Sequence, residues 1–386
     1  MINRIVVSSS IACVVLAAAA WGQNAGDTNK PAPAAPTMGL KDAFAGKFLI
    51  GCAGDVPRGY SEVELANIKA NYNIITPENC MKPQPTHPSE GTYSFTTPDA
   101  MVQWCLDNNI KVWGHTLAWH AQTAPWFFQP GTNGEAVTRE VAMARLSNHI
   151  HTVVGRYKGR ITGWDVVNEA INDSGGGRTE NLRSSSWVRA IGADYLTLAF
   201  KWAHEADPQA QLYYNDYNID QDTNYDQTTP QYSGKHTSSM LLLKRLIAEG
   251  APINGVGIQG HWHLYNNIPD IEKAIIDYES LGLKVSISEL DVTATGSNSG
   301  ALNGGGRGGA ITAEALEQQA QVYAKMFDIF NRHAKTMSRV TFWGISDRRS
   351  WRSGQRPLVF DAQLQAKPAL QAILDVGQGK GVIAPK

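Results

Sequence analysis

The sequence predicts an α/β fold of the (β/α)₈ barrel type, a TIM barrel in a single catalytic domain. Between about residues 38 and 377, short β-type runs alternate with longer segments that carry apolar residues at helical spacing. There are eight such units, and almost every strand-like run ends in polar or aromatic side chains. An open doubly wound sheet is the alternative, but no Gly-x-Gly-x-x-Gly motif follows the first run, which disfavours a dinucleotide-binding fold.

Eight strands and five of the helices between them are placed by these patterns. The predicted strands are residues 48–53, 74–77, 112–116, 163–168, 211–215, 255–259, 285–289 and 341–343. The predicted helices are residues 135–157, 187–206, 238–249, 268–281 and 313–333. In a barrel, the carboxyl ends of all the strands meet on one face, where active sites are built. The polar strand ends therefore predict one site at that face.

The first residues are typical of an exported protein. Arg4 is followed by a mostly apolar stretch that runs to Ala20, and we interpret residues 1–25 as a cleavable signal peptide. A membrane anchor is the alternative, but the stretch is shorter than the roughly 20 residues that a spanning helix needs. Residues 26–37 are a Pro/Ala-rich linker, and residues 38–380 form the catalytic domain. We expect an extracellular or periplasmic monomer that is not membrane-bound after cleavage.

Composition restricts the class of partner. The 386 residues are 42% hydrophobic, which is enough for a large core. The 34 basic and 35 acidic residues give a net charge of −1, so nothing indicates a nucleic-acid partner. After signal cleavage Cys52, Cys80 and Cys105 remain; this odd number argues against a disulfide framework but leaves one bridge open.

Two glutamates at strand ends carry the strongest chemical signal. Glu169 follows the fourth predicted strand and Glu289 ends the seventh. Hydrolysis of a glycosidic bond needs two carboxyl groups, one that protonates the leaving oxygen and one that attacks or stabilises the sugar cation. A single strand-end glutamate is ordinarily a surface charge, whereas two across one barrel mouth favour catalysis. Because Asn168 and Glu169 are adjacent, we expect irregular backbone if both enter the site.

Other residues near the strand ends are less specific. Aromatic rings stack on sugars but are also ordinary core residues. Tryptophans at or just after predicted strand ends are Trp119, Trp126, Trp262, Trp343 and Trp351. His261 and His263 have the spacing of a metal pair on a strand, but no third ligand motif accompanies them, and we expect no metal or cofactor. The glycine-rich segment 293–310 lacks the Gly-Lys-Ser/Thr ending of a phosphate-binding P-loop, and we interpret it as a surface loop.

Six motifs together resemble one family. They are ITPENCMK at 75–82, WGHTLAWH at 113–120, WDVVNE at 164–169, GIQGH at 257–261, SELD at 288–291 and WGISD at 343–347. In this order, over about residues 45–370, they are similar to the family 10 glycoside hydrolases, which are mainly endo-β-1,4-xylanases. The resemblance implies a retaining enzyme that binds xylan and xylo-oligosaccharides, with Glu289 as nucleophile and Glu169 as acid/base.

The resemblance also implies roles for other residues. Asn168 is expected to bond the sugar 2-hydroxyl, and His261, supported by Asp291, to orient Glu289. The residues implied on the non-reducing side of the cut are Glu78, Asn79, Lys82, His115, Trp119, Gln122 and Gln259, with Trp343 and Trp351 stacking above. Tyr217 is implied on the other side.

Two rival functions stay open. The first is a β-1,4-glucanase on the same fold; Glu78, Lys82 and Trp343 are expected to crowd out the extra hydroxymethyl group of glucose. The second is a non-catalytic polysaccharide-binding protein, which would not need a carboxylate pair. We also hypothesise that Arg348 or Arg349 meets acidic glucuronosyl branches of xylan.

Overall fold

The computed structural model describes residues 38–130, 137–173, 176–224, 231–295 and 311–381, except the side chains of 224, 231 and 232. All of these lie in one compact unit, Pro36–Lys386. The predicted signal peptide and linker, and most of the glycine-rich segment, lie outside the described residues. Among the helices in these ranges, none has the length and apolar character needed to cross a membrane.

Eight parallel strands form a closed barrel. They are β1 Leu49–Ala53, β2 Ile74–Thr76, β3 Lys111–Trp119, β4 Gly163–Asn168, β5 Gln211–Asp216, β6 Gly255–Ile258, β7 Lys284–Thr293 and β8 Met337–Phe342. Each strand pairs with the next along the chain, and β8 pairs with both β7 and β1. The predicted (β/α)₈ barrel is confirmed. A short additional strand, His261–His263, pairs with the end of β7.

Helices surround the barrel. They are α1 Leu40–Ala43, α2 Glu62–Asn71, α3 Pro83–Thr86, α4 Thr96–Asp107, α5 Arg139–Arg156, α6 Ser186–Ala190, α7 Tyr195–Ala206, α8 Lys235–Ala248, α9 Ile268–Ser280, α10 Ala313–Arg332 and α11 Pro368–Gly377. The prediction of one helix over 187–206 is wrong. Gly192 adopts φ 106° between α6 and α7, a conformation that glycine tolerates and a helix does not.

Strand β8 begins four residues before its predicted start. Charged side chains are mostly exposed, but that of Arg339 is buried and donates to Asp165 across the barrel at 3.3 Å. A buried charge of this kind is tolerated because it is paired. All six residues of β4 are buried, as expected for a parallel strand covered on both faces.

The three cysteines of the barrel domain are all buried and none is paired with another. Burial raises the pKa of each thiol, well above its usual range for Cys52 and Cys80 and to about 12 for Cys105. The single disulfide bridge left open by the sequence is therefore not formed, and the thiols serve as small apolar core groups.

Candidate active site

The backbone changes direction where β4 ends. Its register with β5 shifts between Asp165 and Val167, and Glu169 adopts φ 55°. A non-glycine residue in this left-handed region costs about 1–2 kcal/mol and persists only where its surroundings fix it. The predicted irregular backbone is confirmed. As a result, Asn168 and Glu169 enter the same hydrogen-bond network, and Asn168 Nδ2 donates to Glu169 Oε1 at 3.2 Å.

The Glu169 carboxyl group is held by donors from neighbouring strand ends. Trp119 Nε1, at the end of β3, donates to its Oε2 at 2.9 Å. Gln259 Nε2, just after β6, donates to its Oε1 at 2.9 Å and to Asn168 Oδ1 at 3.3 Å. The side chain keeps 14% of its surface exposed. Glu169 is therefore fixed in direction while one part of it stays accessible.

Glu289 lies on β7 and is more deeply buried, at 5% exposure. Asn215 Nδ2, on β5, donates to its Oε1 at 2.8 Å and to Asn168 Oδ1 at 2.9 Å. The hydrogen bonds thus run without a gap from Glu169 through Asn168 and Asn215 to Glu289. The two glutamates singled out from the sequence lie in one site.

Space for this arrangement comes from a glycine. Gly257 pairs with Asn215 in the sheet, and a Cβ atom built on Gly257 would lie 2.3 Å from Asn215 Oδ1. Any larger residue would displace the amide. Gly257, the first glycine of the GIQGH motif, therefore leaves room for the Asn215 side chain between the two carboxyl groups.

Burial and the neighbouring charges act in opposite directions on the pKa of Glu289. Burial acts to raise its pKa, but the hydrogen bond from His261 and the charges of His115 and His261 outweigh burial, and the pKa lies below its usual value. Burial likewise acts to lower the pKa of His261, yet Asp291 and the hydrogen bond to Glu289 raise it to about 9. At neutral pH an imidazolium therefore lies between two carboxylates, and Glu289 is ionised.

Asp291 anchors this imidazolium from behind. His261 lies between the two acids, with Nδ1 2.9 Å from Asp291 Oδ2 and Nε2 3.3 Å from Glu289 Oε2. Asp291 also accepts from Arg352 Nη1 at 3.0 Å and from Trp351 Nε1 at 2.9 Å. The Trp351 ring is 46% exposed and lies 5.0 Å from the His261 ring. Trp351 thus combines an accessible aromatic surface with contacts to Asp291 and His261.

Five of the residues expected on the non-reducing side cluster around the ends of β2 and β3. Lys82 Nζ donates to Asn79 Oδ1 at 3.1 Å and lies 5.0 Å from the centre of the Trp119 ring. Gln122 Nε2 lies 3.5 Å from the same amide oxygen. For Glu78, burial and then the charge of Asp55 raise the pKa. Trp119 connects this cluster to Glu169.

His115 and Trp343 lie side by side at the floor of the site. The centres of their rings are 5.5 Å apart, and His115 is only 2% exposed. Asp165 Oδ2 lies 2.9 Å from His115 Nδ1, and Asp165 Oδ1 accepts from Trp113 and Arg339. His115 is therefore fixed from inside the barrel by a buried acid that the sequence gave no reason to select.

Tyr217 lies in a neighbouring charged cluster. Its hydroxyl donates to Asp173 and accepts from Arg183 Nη2 at 3.0 Å. Lys235 Nζ lies 3.3 Å from the centre of its ring. Arg183 Nε also donates to the backbone oxygen of Glu169 at 3.3 Å, so this cluster adjoins the acid.

Of the tryptophans near predicted strand ends, Trp262 is a core residue and does not face the cleft. It is 1% exposed, donates to Asp220 at 3.0 Å and packs on Phe330. Side chains alternate along a strand, so the tryptophan faces the helices while His261 faces the mouth. Trp126 also packs inside the fold, 4.0 Å from Phe127 between ring centres.

The two arginines that follow β8 differ in their contacts and in their exposure. Arg349 donates to Glu64 at 2.8 and 3.0 Å and lies 4.3 Å from the centre of the Tyr60 ring, so its guanidinium is already engaged. Arg348 is exposed, and recognition of acidic branches stays a prediction for it. Within the described ranges, no three His, Cys, Asp or Glu side chains are grouped to hold a metal ion.

A closed barrel whose mouth holds two carboxyl groups in one hydrogen-bond network, one of them kept ionised by a histidine, has the arrangement that glycoside hydrolases use. The family model "Glycosyl hydrolase family 10" matches residues 39–376. The chain belongs to this family.

Relatives agree with the assignment. Endo-1,4-beta-xylanase B of Paenibacillus barcinonensis is 38% identical over 344 residues, which cover 87% of this chain and 97% of the relative. Exoglucanase XynX of Acetivibrio thermocellus is 38% identical over 346 residues, covering 87% and 29%. TsXylA, an intracellular xylanase of Thermoanaerobacterium saccharolyticum solved as a glutamate-to-alanine mutant with xylotetraose, gives a TM-score of 0.77 at 36% identity, covering 87% and 98%. The chain spans about a quarter to a half of the first curated relatives it matches.

Proposed function

We propose that this protein is a retaining endo-β-1,4-xylanase that cleaves internal bonds of xylan by double displacement. The observation that carries the proposal is the pair of glutamates joined through Asn168 and Asn215. In this pair Glu289 is held ionised by His261 while Glu169 stays partly accessible. One ionised carboxylate beside a second, accessible carboxyl group is what the two steps require.

In the first step, Glu289 Oε attacks the anomeric carbon and the bond to the leaving oxygen breaks. Glu169 gives its proton to that oxygen, so the leaving sugar departs as a neutral alcohol. The Asn168 amide is positioned to bond the 2-hydroxyl of the sugar, a contact that strengthens as positive charge develops on the ring.

In the second step, the roles of Glu169 reverse. The carboxylate takes a proton from water, whose oxygen forms a bond to the anomeric carbon, and the bond to Glu289 breaks. Two displacements at one carbon return the original β-configuration. While Glu289 is esterified its negative charge is absent, which favours ionisation of Glu169 at the moment when a base is needed.

A β-1,4-glucanase is the second candidate, favoured by the name of the Acetivibrio relative. Crowding by Glu78, Lys82 and Trp343 supports xylan instead. Lys82 and Trp343 are buried and Glu78 is largely so, which leaves these side chains little freedom to move aside for a hydroxymethyl group.

We expect reducing sugar to be released from unbranched β-1,4-xylan and not from carboxymethyl cellulose. ¹H NMR of the first products should show the β-anomer before mutarotation, because two inversions restore configuration. Equal or faster release from cellulose would favour the glucanase, the α-anomer would exclude retention, and no release from either polymer would favour the binding protein.

We also propose that the protein is exported by cleavage of residues 1–25. The support is Arg4 followed by an apolar stretch in the first 20 residues; one solved relative is intracellular, so relatives give no guide. Intact mass of the protein collected outside the cytoplasm should lack these residues. A full-length chain found only in the cytoplasm would refute export.

A further inference from the structure

The residues that follow β4 have their backbone groups fixed by side chains. Glu169 has the disfavoured φ of 55°, and the next two residues are buried. The Ala170 N–H donates to the Tyr214 hydroxyl at 3.1 Å, and the Ile171 N–H donates to Asp216 Oδ2 at 3.4 Å. Buried backbone groups need such partners. Here the partners come from β5.

The direction of the Tyr214 hydroxyl is determined by its neighbours. Its one O–H donates to Asp216 Oδ2 at 2.5 Å, so its lone pairs are left to accept the Ala170 N–H. Lys235 Nζ lies 3.0 Å from Asp216 Oδ1, which fixes the aspartate in turn. All three side chains are fully buried. The hydroxyl is therefore a rigid acceptor at a fixed point.

Arg183 holds the same segment from the other side. Its Nε donates to the Glu169 carbonyl at 3.3 Å and its Nη2 to the Ile171 carbonyl at 3.2 Å. The backbone N–H of Arg183 donates to the Ala170 carbonyl at 2.7 Å. Donors and acceptors on both sides of the segment thus compensate the left-handed conformation, as such a conformation requires.

We propose that Tyr214 is a positioning residue for the acid/base, which acts by holding the peptide after Glu169 so that the carboxyl group points at the leaving oxygen. This inference rests on the proposed function of Glu169. Relaxation of φ towards an ordinary value would swing the carboxyl group away from Trp119 and Gln259. A displacement of about 1 Å at a reacting group costs on the order of 100-fold in rate.

The test is Tyr214→Phe, which keeps the ring and removes the acceptor. Two substrates with the same sugars separate acid catalysis from other effects: phenyl β-xylobioside, whose leaving group needs a proton, and 2,4-dinitrophenyl β-xylobioside, whose leaving group does not. We expect kcat/KM, which reports the first step, to fall about 10- to 100-fold for the phenyl substrate and to stay within about twofold for the dinitrophenyl substrate.

Tyr213→Phe is the matched control, since Tyr213 is equally buried on the same strand and contacts neither Glu169 nor its segment; it should leave both substrates unaffected. If Tyr214→Phe does not fold, as judged by thermal unfolding, Arg183→Met should give the same dependence on leaving group. Equal losses on both substrates, or no loss on either, would overturn the positioning role. A wild-type enzyme inactive on both would instead refute the proposed function.

Discussion

Glu289→Ala should lower xylan hydrolysis by on the order of 10⁵-fold, because removing a catalytic nucleophile has an effect of this size in other enzymes. Asn215 and His261 both contact the buried Glu289 carboxylate, and alanine provides no nucleophile in its place. The measurement is the initial rate of reducing-sugar release at saturating xylan. A variant that kept a tenth of the wild-type rate would contradict the assignment of the nucleophile.

The product that azide gives with each alanine variant distinguishes the role of Glu289 from that of Glu169. In Glu289→Ala, azide occupies the place of the missing carboxylate and should attack the anomeric carbon of 2,4-dinitrophenyl β-xylobioside to give an α-glycosyl azide. In Glu169→Ala, the proposed glycosyl-enzyme should still form from this substrate, whose leaving group needs no proton, and azide should give the β-product. The same anomer from both variants would show that the two roles are wrongly assigned. Glu272→Ala, which removes a glutamate from the outer helix α9, should behave as wild type.

Asn215→Ala should reduce kcat/KM on xylan by on the order of 100-fold, because loss of its two donations lets Glu289 and Asn168 move from their positions at the reacting carbon. The variant leaves Glu289 Oε1 without its 2.8 Å donor and breaks the link to Asn168. The hydrogen bond from Asn215 is one cause of the lowered pKa of Glu289. Its loss raises that pKa, so the acidic limb of the kcat/KM profile should move to higher pH.

Ser288→Ala is the matched comparison. Ser288 donates to Asn215 Oδ1 at 2.5 Å and does not contact either catalytic acid, so both donations from the Asn215 amide nitrogen survive. We expect a smaller loss and an acidic limb that stays in place. An acidic limb unmoved in Asn215→Ala would mean that the amide does not stabilise the ionised nucleophile.

Local sequence patterns were sufficient to predict the barrel and the two glutamates, Glu169 and Glu289, at its strand ends. Strand β4 was predicted with its observed bounds, since the mostly apolar run from Gly163 to Val167 leads directly into Asn168 and Glu169. Helix α9 was predicted to within one residue from its helical spacing. The first four residues of strand β8 and the break between α6 and α7 were missed. Arg339 is buried through a partner on another strand, and Gly192 breaks an otherwise helical pattern.

Asn215 shows why part of the site escaped prediction. The sequence placed it at a strand end, but its contacts depend on its register opposite Asn168 on one side and Gly257 on the other. Register depends on how the hydrophobic patterns of two strands match and on the segment that connects them, so it cannot be derived from one strand alone. The same holds for Asp165, whose partners lie on β3 and β8, and for the contact of Tyr214 with Ala170, which follows β4.

The sequence by itself determined the fold class, the family and the two carboxyl groups, because these depend on periodicity and on residue types at strand ends. Only the tertiary structure decided how the acids are connected, that Trp262 faces the helices while Trp351 contacts Asp291, and that Glu169 has a left-handed backbone. The physical reason is that burial, hydrogen bonding and pKa depend on distances between strands, which exist only once the barrel has closed.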